Sequence, residues 1–279
     1  MKPILLSLLV ALLGGCASIP APFPPVDHTY AARSQSSRVK FIVLHYTVSD
    51  TPASIKILTE QVVSSHYLLT DTAPPVLYSL VDEARQANHA GVSNWKNYTL
   101  LNSSSVGIEI VNPGYKDTPE GRLWYPFPQA QIDLLIPLLK QIAARHNIAP
   151  QNILGHNEIA PQRKPDPGPM FPWRQLAAAG LITWPDAGRV AVQRALYEQQ
   201  VPDSAWFQQK LALHGYAVPQ SGELDEATRN VLVAFQMKYR PALFAGIPDA
   251  ETAALLDVLT TPVAVPGTAP SPAPAPASN

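Results

Sequence analysis

A short loop near the middle of the 279-residue sequence contains several groups that can do chemistry. Residues 155–168 include an imidazole at His156, an ammonium group at Lys164 and a carboxylate at Asp166. Three prolines restrict the backbone of this loop and reduce the freedom of its unfolded state; they are Pro161, Pro165 and Pro167. The loop therefore suits a site whose side chains must stay fixed.

A second imidazole lies far upstream, at His45. It ends the apolar run 39–44, which predicts a buried strand with His45 at its carboxyl end. Sites on α/β folds lie at that end of the sheet. Two imidazoles and a carboxylate, here His45, His156 and Asp166, are a common ligand set for catalytic zinc with water in the fourth position. The alternatives are a hydrogen-bonded structural role for His45 and an ordinary turn role for Asp166.

Glu109 is the charged residue of an otherwise apolar predicted strand, 105–112. The alternation puts Val106, Ile108 and Ile110 on one face of the strand and Glu109 on the other. An ionised glutamate is costly to bury unless a positive or hydrogen-bonding group lies near it. Glu109 is therefore either a pocket carboxylate beside a cation or a rim residue in contact with solvent.

Helical and strand patterns alternate around these residues. Thr51 and Pro52 are typical of a helix start, with Thr51 as N-cap. The pattern predicts helices over 51–63 and 128–146, the second kinked or restarted by Pro137. It predicts strands over 64–69, 76–81 and 152–154.

Several motifs in this order resemble the zinc N-acetylmuramoyl-L-alanine amidases of the type-2 amidase family. They are His45 in Phe-Ile-Val-Leu-His-Tyr-Thr, Ser65-His66-Tyr67, His89-Ala90-Gly91, Gly107-Ile108-Glu109-Ile110, and the loop with Gly155-His156 and Lys164-Pro165-Asp166-Pro167-Gly168. The resemblance covers residues 38–180. It implies an α/β fold with a central mixed β-sheet flanked by helices, and a catalytic domain over 38–182.

The resemblance also implies the chemistry. Zn²⁺ is the expected cofactor, with His45, His156 and Asp166 as its ligands. Glu109 is the expected general base and acid, and Lys164 is expected to stabilise the oxyanion, although a surface lysine is the alternative. The implied reaction is hydrolysis of the amide between N-acetylmuramic acid and L-alanine in peptidoglycan or muropeptides. A non-catalytic peptidoglycan recognition protein and a zinc peptidase acting within the stem peptide are the alternatives.

Substrate contacts are expected from rings and amides on the same loops and strands. Trp95 offers a stacking surface for sugar or peptide, and His66 either lines the groove or faces solvent. His89 is either a substrate contact or a hydrogen-bonded structural group. The full set of expected contacts is His66, Tyr67, His89, Trp95 and Asn112.

The C-terminal part resembles the small helical peptidoglycan-binding domain of cell-wall hydrolases. In residues 194–260, Gly215 ends one predicted helix and Asp225 caps the next. The alternative is a helical packing module without specificity. We expect a linker over 183–193, a disordered Pro/Ala-rich tail over 261–279, and a tethering role that raises the local concentration at the wall.

The N-terminus is typical of an exported lipoprotein. Residues 1–16 contain a short apolar segment and end in Leu-Gly-Gly-Cys, so Cys16 is the expected lipidation site. An ordinary signal peptide with a coincidental cysteine is the alternative. Residues 17–37 are expected to form a linker. Because Ala17 follows the cysteine, the expected location is the periplasmic face of the outer membrane of a Gram-negative bacterium.

Composition limits the possible partners. The net charge is −1, so the protein has no overall basic field that would attract nucleic acid. Peptidoglycan, muropeptides and the outer membrane are the expected partners, and a monomer is the expected oligomeric state.

Overall fold

The computed structural model describes residues 26–261, which fall into two compact units divided after Ser36. Residues 26–36, which lie in the predicted linker 17–37, are exposed and form neither helix nor strand. The predictions for the signal peptide, for Cys16, for residues 17–25 and for nearly all of the C-terminal tail lie outside the described residues. Within those residues, no helix is both long enough and apolar enough to span a membrane.

A five-stranded mixed sheet forms the centre of the second unit, in the order β3-β2-β6-β1-β9. Strands β2, β6, β1 and β9 run parallel, with β9 at one edge of the sheet, and the antiparallel β3 forms the other edge. Two small two-stranded sheets, β4-β5 and β7-β8, lie outside it. The strands in chain order are β1 Phe41–Tyr46, β2 Tyr67–Leu69, β3 Leu77–Ser79, β4 Asn94–Trp95, β5 Tyr98–Thr99, β6 Ser105–Ile110, β7 Tyr115–Thr118, β8 Gly121–Trp124 and β9 Ile153–Gly155.

Helices cover both faces of the sheet and form the C-terminal part. Capping aspartates start five of them, where Asp50, Asp186, Asp203, Asp225 and Asp249 each accept a hydrogen bond from a backbone N–H in the first turn. The helices are α1 Thr51–Glu60, α2 Gln129–His146, α3 His156–Ile159, α4 Trp173–Ala178, α5 Ala187–Tyr197, α6 Ser204–His214, α7 Glu226–Tyr239 and α8 Ala250–Thr260.

The two faces of the sheet bury different cores. Ile42 and Leu44 of β1 pack with α2 and α4 in one core, together with the even-numbered residues of β6. Phe41 and Val43 point to the opposite face. There they share a second core with Trp95 and with the apolar side chains of α6, α7 and α8. His45 continues the alternation of Phe41 and Val43, so it belongs to the face that the C-terminal helices cover.

The fold class is confirmed, with corrections to the predicted elements. Asp50 is the N-cap of α1 in place of Thr51, because its Oδ1 accepts the Ala53 N–H at 2.9 Å. Helix α1 ends at Glu60, before the predicted end at residue 63. Helix α2 runs through Pro137 as one helix and does not restart. The predicted helix end at Gly215 and the cap at Asp225 are both found.

The predicted linker over 183–193 is wrong. Helix α5 begins within it at Ala187, capped by Asp186, whose side chain accepts the Arg189 N–H at 2.8 Å. Val190 and Tyr197 of this helix pack against the second core. Because that core also contains residues of β1 and β9, residues 37–261 form one compact unit without a flexible division between sheet and C-terminal helices.

Candidate metal centre

Three adjacent parallel strands bring the predicted groups to one end of the sheet. The register pairs His45 on β1 with Glu109 on β6, so both side chains leave the same face. On the other side of β1, Leu44 pairs with Gly155 at the end of β9. His156 is the next residue, and it therefore emerges beside His45.

The side chains of His45, His156 and Asp166 converge in the interior. The two Nδ1 atoms are 3.0 Å apart, and Asp166 Oδ2 lies 3.1 Å from the first and 3.0 Å from the second. All three residues are buried. Tetrahedral zinc ligands at ordinary bond lengths lie roughly 3.3 Å apart, so these spacings fit one small cation.

Hydrogen bonds fix which ring nitrogens face the centre. Ser105 Oγ donates to the carbonyl of Leu101 at 2.6 Å, so it accepts from His89 Nε2 at 3.2 Å. His89 Nδ1 is then an acceptor, and His45 Nε2 donates to it at 3.0 Å. This series of hydrogen bonds leaves the lone pair of His45 Nδ1 directed at Asp166.

The same argument applies to His156. Its Nε2 lies 3.2 Å from the carbonyl of Ala90 and donates to it, so its Nδ1 also presents a lone pair. Two lone pairs and a carboxylate oxygen at about hydrogen-bond distance repel one another unless a cation lies among them. The donor set therefore fits a metal ion.

The charges of the centre agree with this arrangement. Burial, followed by repulsion from His156, lowers the pKa of His45 to about 4, so the ring is neutral at physiological pH. Burial alone would raise the pKa of Asp166, but the two imidazoles outweigh it and hold that pKa below its ordinary value. Neutral imidazole and ionised carboxylate are the forms that bind metal.

A cavity of about 320 Å³ opens beside the three donors. Glu109 and Lys164 both line it. Glu109 Oε2 is buried and has no hydrogen-bond partner among the described residues. Burial and the nearby Asp166 raise the pKa of Glu109 to about 8, while Lys164 acts in the opposite direction. The centre thus combines three donors, a proton-binding carboxyl and an ammonium group on one cavity wall.

The expectation that Trp95 stacks on a substrate is wrong. Its side chain is only 1% exposed and lies in the second core. The ring packs edge-on against Tyr216 at 5.0 Å between centroids, and a Cβ on Gly215 would lie 2.7 Å from the indole. Trp95 therefore joins the sheet to the C-terminal helices.

Three other expected substrate contacts have structural partners and do not line the cavity. His66 accepts the Gly107 N–H at its Nδ1 and donates from Nε2 to the Arg85 carbonyl. Tyr67 donates to Glu83 at 2.6 Å. Asn112 donates to the Pro126 carbonyl and accepts the Gly114 N–H. The hydrogen bonds of these three side chains stabilise the fold.

His89 was expected to be either a substrate contact or a hydrogen-bonded structural group, and it has features of both. It lines the cavity, and both of its ring nitrogens are hydrogen-bonded, one of them to His45. Sequence reasoning missed Tyr46 and Tyr115, which also line the cavity. Tyr46 Oη is buried and has no partner among the described residues. Its position directly after a strand-end histidine is the signal that could have found it.

The fold and the donor set define an α/β metalloprotein with a His-His-Asp centre at the carboxyl ends of parallel strands. Residues 35–169 match the N-acetylmuramoyl-L-alanine amidase family, and residues 200–256 match a peptidoglycan binding domain family. The chain is 42% identical over 258 residues to the N-acetylmuramoyl-L-alanine amidase AmiD of Escherichia coli (strain K12), covering 89% of this chain and 93% of that protein. The chain belongs to the N-acetylmuramoyl-L-alanine amidase family, as its motifs predicted.

Solved structures agree with this assignment. The complex of AmiD from E. coli with anhydro-N-acetylmuramic acid-L-Ala-D-gamma-Glu-L-Lys superposes with a TM-score of 0.77 at 42% identity, over 84% of this chain and 93% of that one. AMPDH3 from Pseudomonas aeruginosa superposes with a TM-score of 0.78 at 36% identity, over 85% and 97% of the two chains. Both comparisons extend over the sheet and the C-terminal helices together.

Proposed function

We propose that this protein is a zinc amidase that hydrolyses the bond between N-acetylmuramic acid and the L-alanine of the stem peptide. The observation that supports this most directly is the convergence of two imidazole lone pairs and Asp166 beside Glu109 in an open cavity. The family assignment and the muropeptide bound to the similar AmiD point to the same substrate class.

His45, His156 and Asp166 would hold the metal, and their ligand charges sum to −1. Zn²⁺ bound by this set would keep a net positive charge that acidifies a water molecule, polarises the amide carbonyl and favours ionised Glu109. His89 and Ala90 orient the two rings through their outer nitrogens. The protein thus presents its donor atoms already aligned.

Glu109 would move the proton. Its carboxylate takes a proton from the attacking water and gives it to the nitrogen of L-alanine as the C–N bond breaks. The products are a carboxylic acid on the lactyl group of the sugar and a stem peptide with a free amino terminus. Lys164, on the wall of the same cavity, would stabilise the oxyanion of the tetrahedral intermediate.

Product analysis tests this proposal. The purified protein should contain one zinc ion per chain and release stem peptides with free N-terminal L-alanine from muropeptides and sacculi, as measured by mass spectrometry. A chelator should abolish release, and added Zn²⁺ should restore it. Products that keep L-alanine on the sugar would indicate a peptidase, and bound metal without release would indicate a recognition protein.

We further propose that the protein is a lipoprotein anchored at Cys16 on the periplasmic face of the outer membrane. The support is the sequence itself, in which an apolar segment precedes Leu-Gly-Gly-Cys. Labelled fatty acid should enter the wild-type protein in cells, and the protein should fractionate with the outer membrane. Cys16→Ser should lose both properties; retention of label by the variant would refute the anchor.

A further inference from the structure

Helix α7 of the C-terminal part places a buried lysine against the segment that supplies His156. Lys238 Nζ lies 3.0 and 2.8 Å from the two carboxylate oxygens of Glu158. It also donates to the Ile153 carbonyl at 3.3 Å. Lys238 is 4% exposed and Glu158 is 1% exposed, so the ion pair is sealed from water.

These contacts fall on both sides of the metal-site histidine. Ile153 begins β9, and Glu158 lies in α3, whose first residue is His156. The ammonium group therefore joins the strand that leads into His156 to the helix that leads out of it. A third contact stabilises the charge, since Lys238 Nζ lies 4.3 Å from the ring centroid of Trp173.

Glu158 transmits this restraint to the backbone at His156. Its Oε2 accepts the Gly155 N–H at 2.7 Å, which closes the first turn of α3. Gly155 has no room for a side chain, because a Cβ there would lie 2.6 Å from Asn157 Oδ1 and 2.7 Å from Pro167 Cδ. The carboxylate held by Lys238 thus fixes the turn from which the His156 ring projects.

The neighbouring residue connects the same helix to the third donor. The Asn157 N–H donates to the Asp166 carbonyl at 2.8 Å, and Asn157 Nδ2 lies 3.7 Å from Met237 Sδ of α7. Consecutive residues of α7 therefore contact consecutive residues of α3. This arrangement goes beyond what a module that only tethers the enzyme to the wall would require.

We propose that Lys238 is a positioning residue for the metal centre, so that the C-terminal part holds His156 in its metal-binding geometry. This inference rests on the proposed function, in which His156 is a zinc ligand. Buried ion pairs contribute little net stability compared with apolar packing, but they can enforce one geometry. Residues that support a metal ligand in this way typically change metal affinity by about 10–100-fold when replaced.

Zinc affinity of the full-length protein, measured by competition with a chromophoric chelator, tests the proposal. Lys238→Met keeps an unbranched side chain of nearly the same length and removes the ammonium group. We expect it to bind Zn²⁺ about 10–100-fold more weakly than the wild type. Lys210→Met is the matched control, because Lys210 also forms a salt bridge in the C-terminal part, to Asp257 at 2.7 Å, away from the metal centre. It should bind zinc like the wild type.

A double variant separates positioning from stability. Lys238→Met leaves a charged Glu158 buried without its partner, which lowers stability and can prevent folding. Lys238→Met combined with Glu158→Gln removes both charges of this ion pair, so the free energy of unfolding in urea should return toward the wild-type value. Its zinc affinity should stay about 10-fold or more below the wild-type value, because the contacts of Lys238 with Ile153 and Glu158, on either side of His156, are absent.

The possible results are distinct. Wild-type zinc affinity in Lys238→Met or in the double variant would show that Lys238 is structural only and would overturn the proposal. A wild-type protein that binds no zinc would overturn the proposed function as well. The cobalt-substituted proteins give an independent readout, since displacement of His156 should change the visible absorption of Co²⁺ in the double variant but not in Lys210→Met.

Discussion

Glu109 lies where an ionised carboxylate is unstable without a positive neighbour. Its Oε2 has no hydrogen-bond partner among the described residues, and burial together with Asp166 raises its pKa to about 8. By contrast, the carboxylate of Asp166 faces two ring nitrogens. Of the two acids in this cavity, Glu109 has a raised pKa and Asp166 a lowered one. This difference is expected when one acid binds a metal and the other carries a proton.

Replacement of Glu109 tests this division of roles. Glu109→Gln preserves the shape of the side chain but cannot exchange a proton, so kcat should fall by about 10²- to 10⁴-fold. Zinc content should be unchanged, and the free energy of unfolding of the metal-free protein should not fall, because a carboxyl group with a pKa of about 8 is, like the amide, mostly neutral at pH 7. The measurements are amide release, metal analysis and urea unfolding. Near-normal kcat with full zinc content would rule out Glu109 as the proton carrier.

At the scale of secondary-structure elements, strand β6 positions the His89 ring that bonds His45, as well as Glu109. Gly107 lies under the His89 ring, and a Cβ there would be 2.4 Å from the ring atom Cγ. His89 in turn orients His45 through the 3.0 Å hydrogen bond between their rings. The absence of a side chain at one strand position is therefore a condition for the metal-binding tautomer of His45.

Gly107→Ala should displace His89 and disturb His45. We expect the free energy of unfolding to fall by about 1–3 kcal/mol from overpacking, and zinc affinity to fall with it. Gly188→Ala is the control, because Gly188 lies in α5 away from the centre and alanine favours helix. Chelator competition and urea unfolding measure both effects. Unchanged zinc affinity in Gly107→Ala would mean that His89 does not set the orientation of His45.

A charge cluster on Glu83 joins elements on the other side of the sheet. Arg145 and His146, at the end of α2, and Tyr67 of β2 all donate to its carboxylate. Burial would raise the pKa of Glu83, but these hydrogen bonds outweigh it and lower the pKa to about 2, from an ordinary value of 4.5. The ionised carboxylate therefore stabilises the folded state.

This cluster predicts an acid-dependent loss of stability. Because the pKa of Glu83 is lower in the folded state, its contribution is complete above about pH 4.5 and disappears as pH falls toward 2. Glu83→Gln should cost about 1–2 kcal/mol at pH 7, and its difference from the wild type should shrink below pH 4.5. Glu60→Gln, at an exposed position, is the control. A difference that stays constant from pH 7 to pH 3 would contradict this assignment.

At the scale of the whole molecule, the sequence predicted those features that depend on local patterns of residues, such as strands and their ends. Alternation predicted β6 and the face of Glu109, and the run before His45 predicted a strand end. The three converging donors followed from motif order. Contacts between distant residues could not be predicted this way: His89 and His45 are 44 residues apart, and Lys238 and Glu158 are 80 apart. No local periodicity encodes such pairs.

The same reason explains the errors at the domain boundary. A proline- and glycine-containing stretch at 185–188 is typical of a linker, yet it leads directly into α5. The residues around Trp95 are typical of a binding loop, yet the Trp95 ring packs against Tyr216 in the core. Both features depend on the packing of the C-terminal helices against the sheet face that carries Phe41 and Val43. Such packing joins residues far apart in the sequence, so a local sequence pattern does not predict it.

This shared core predicts that the protein unfolds as one cooperative unit. Trp95 of the sheet part and Phe235 of α7 are both fully buried in it, so Trp95→Ala and Phe235→Ala should each lower the same transition, by about 3–5 kcal/mol. Leu213→Ala, at an exposed position of α6, should leave it unchanged. Calorimetry should give one peak whose calorimetric and van't Hoff enthalpies agree. Two peaks, each moved by only one of the buried variants, would mean that the C-terminal helices fold independently and act as a tether.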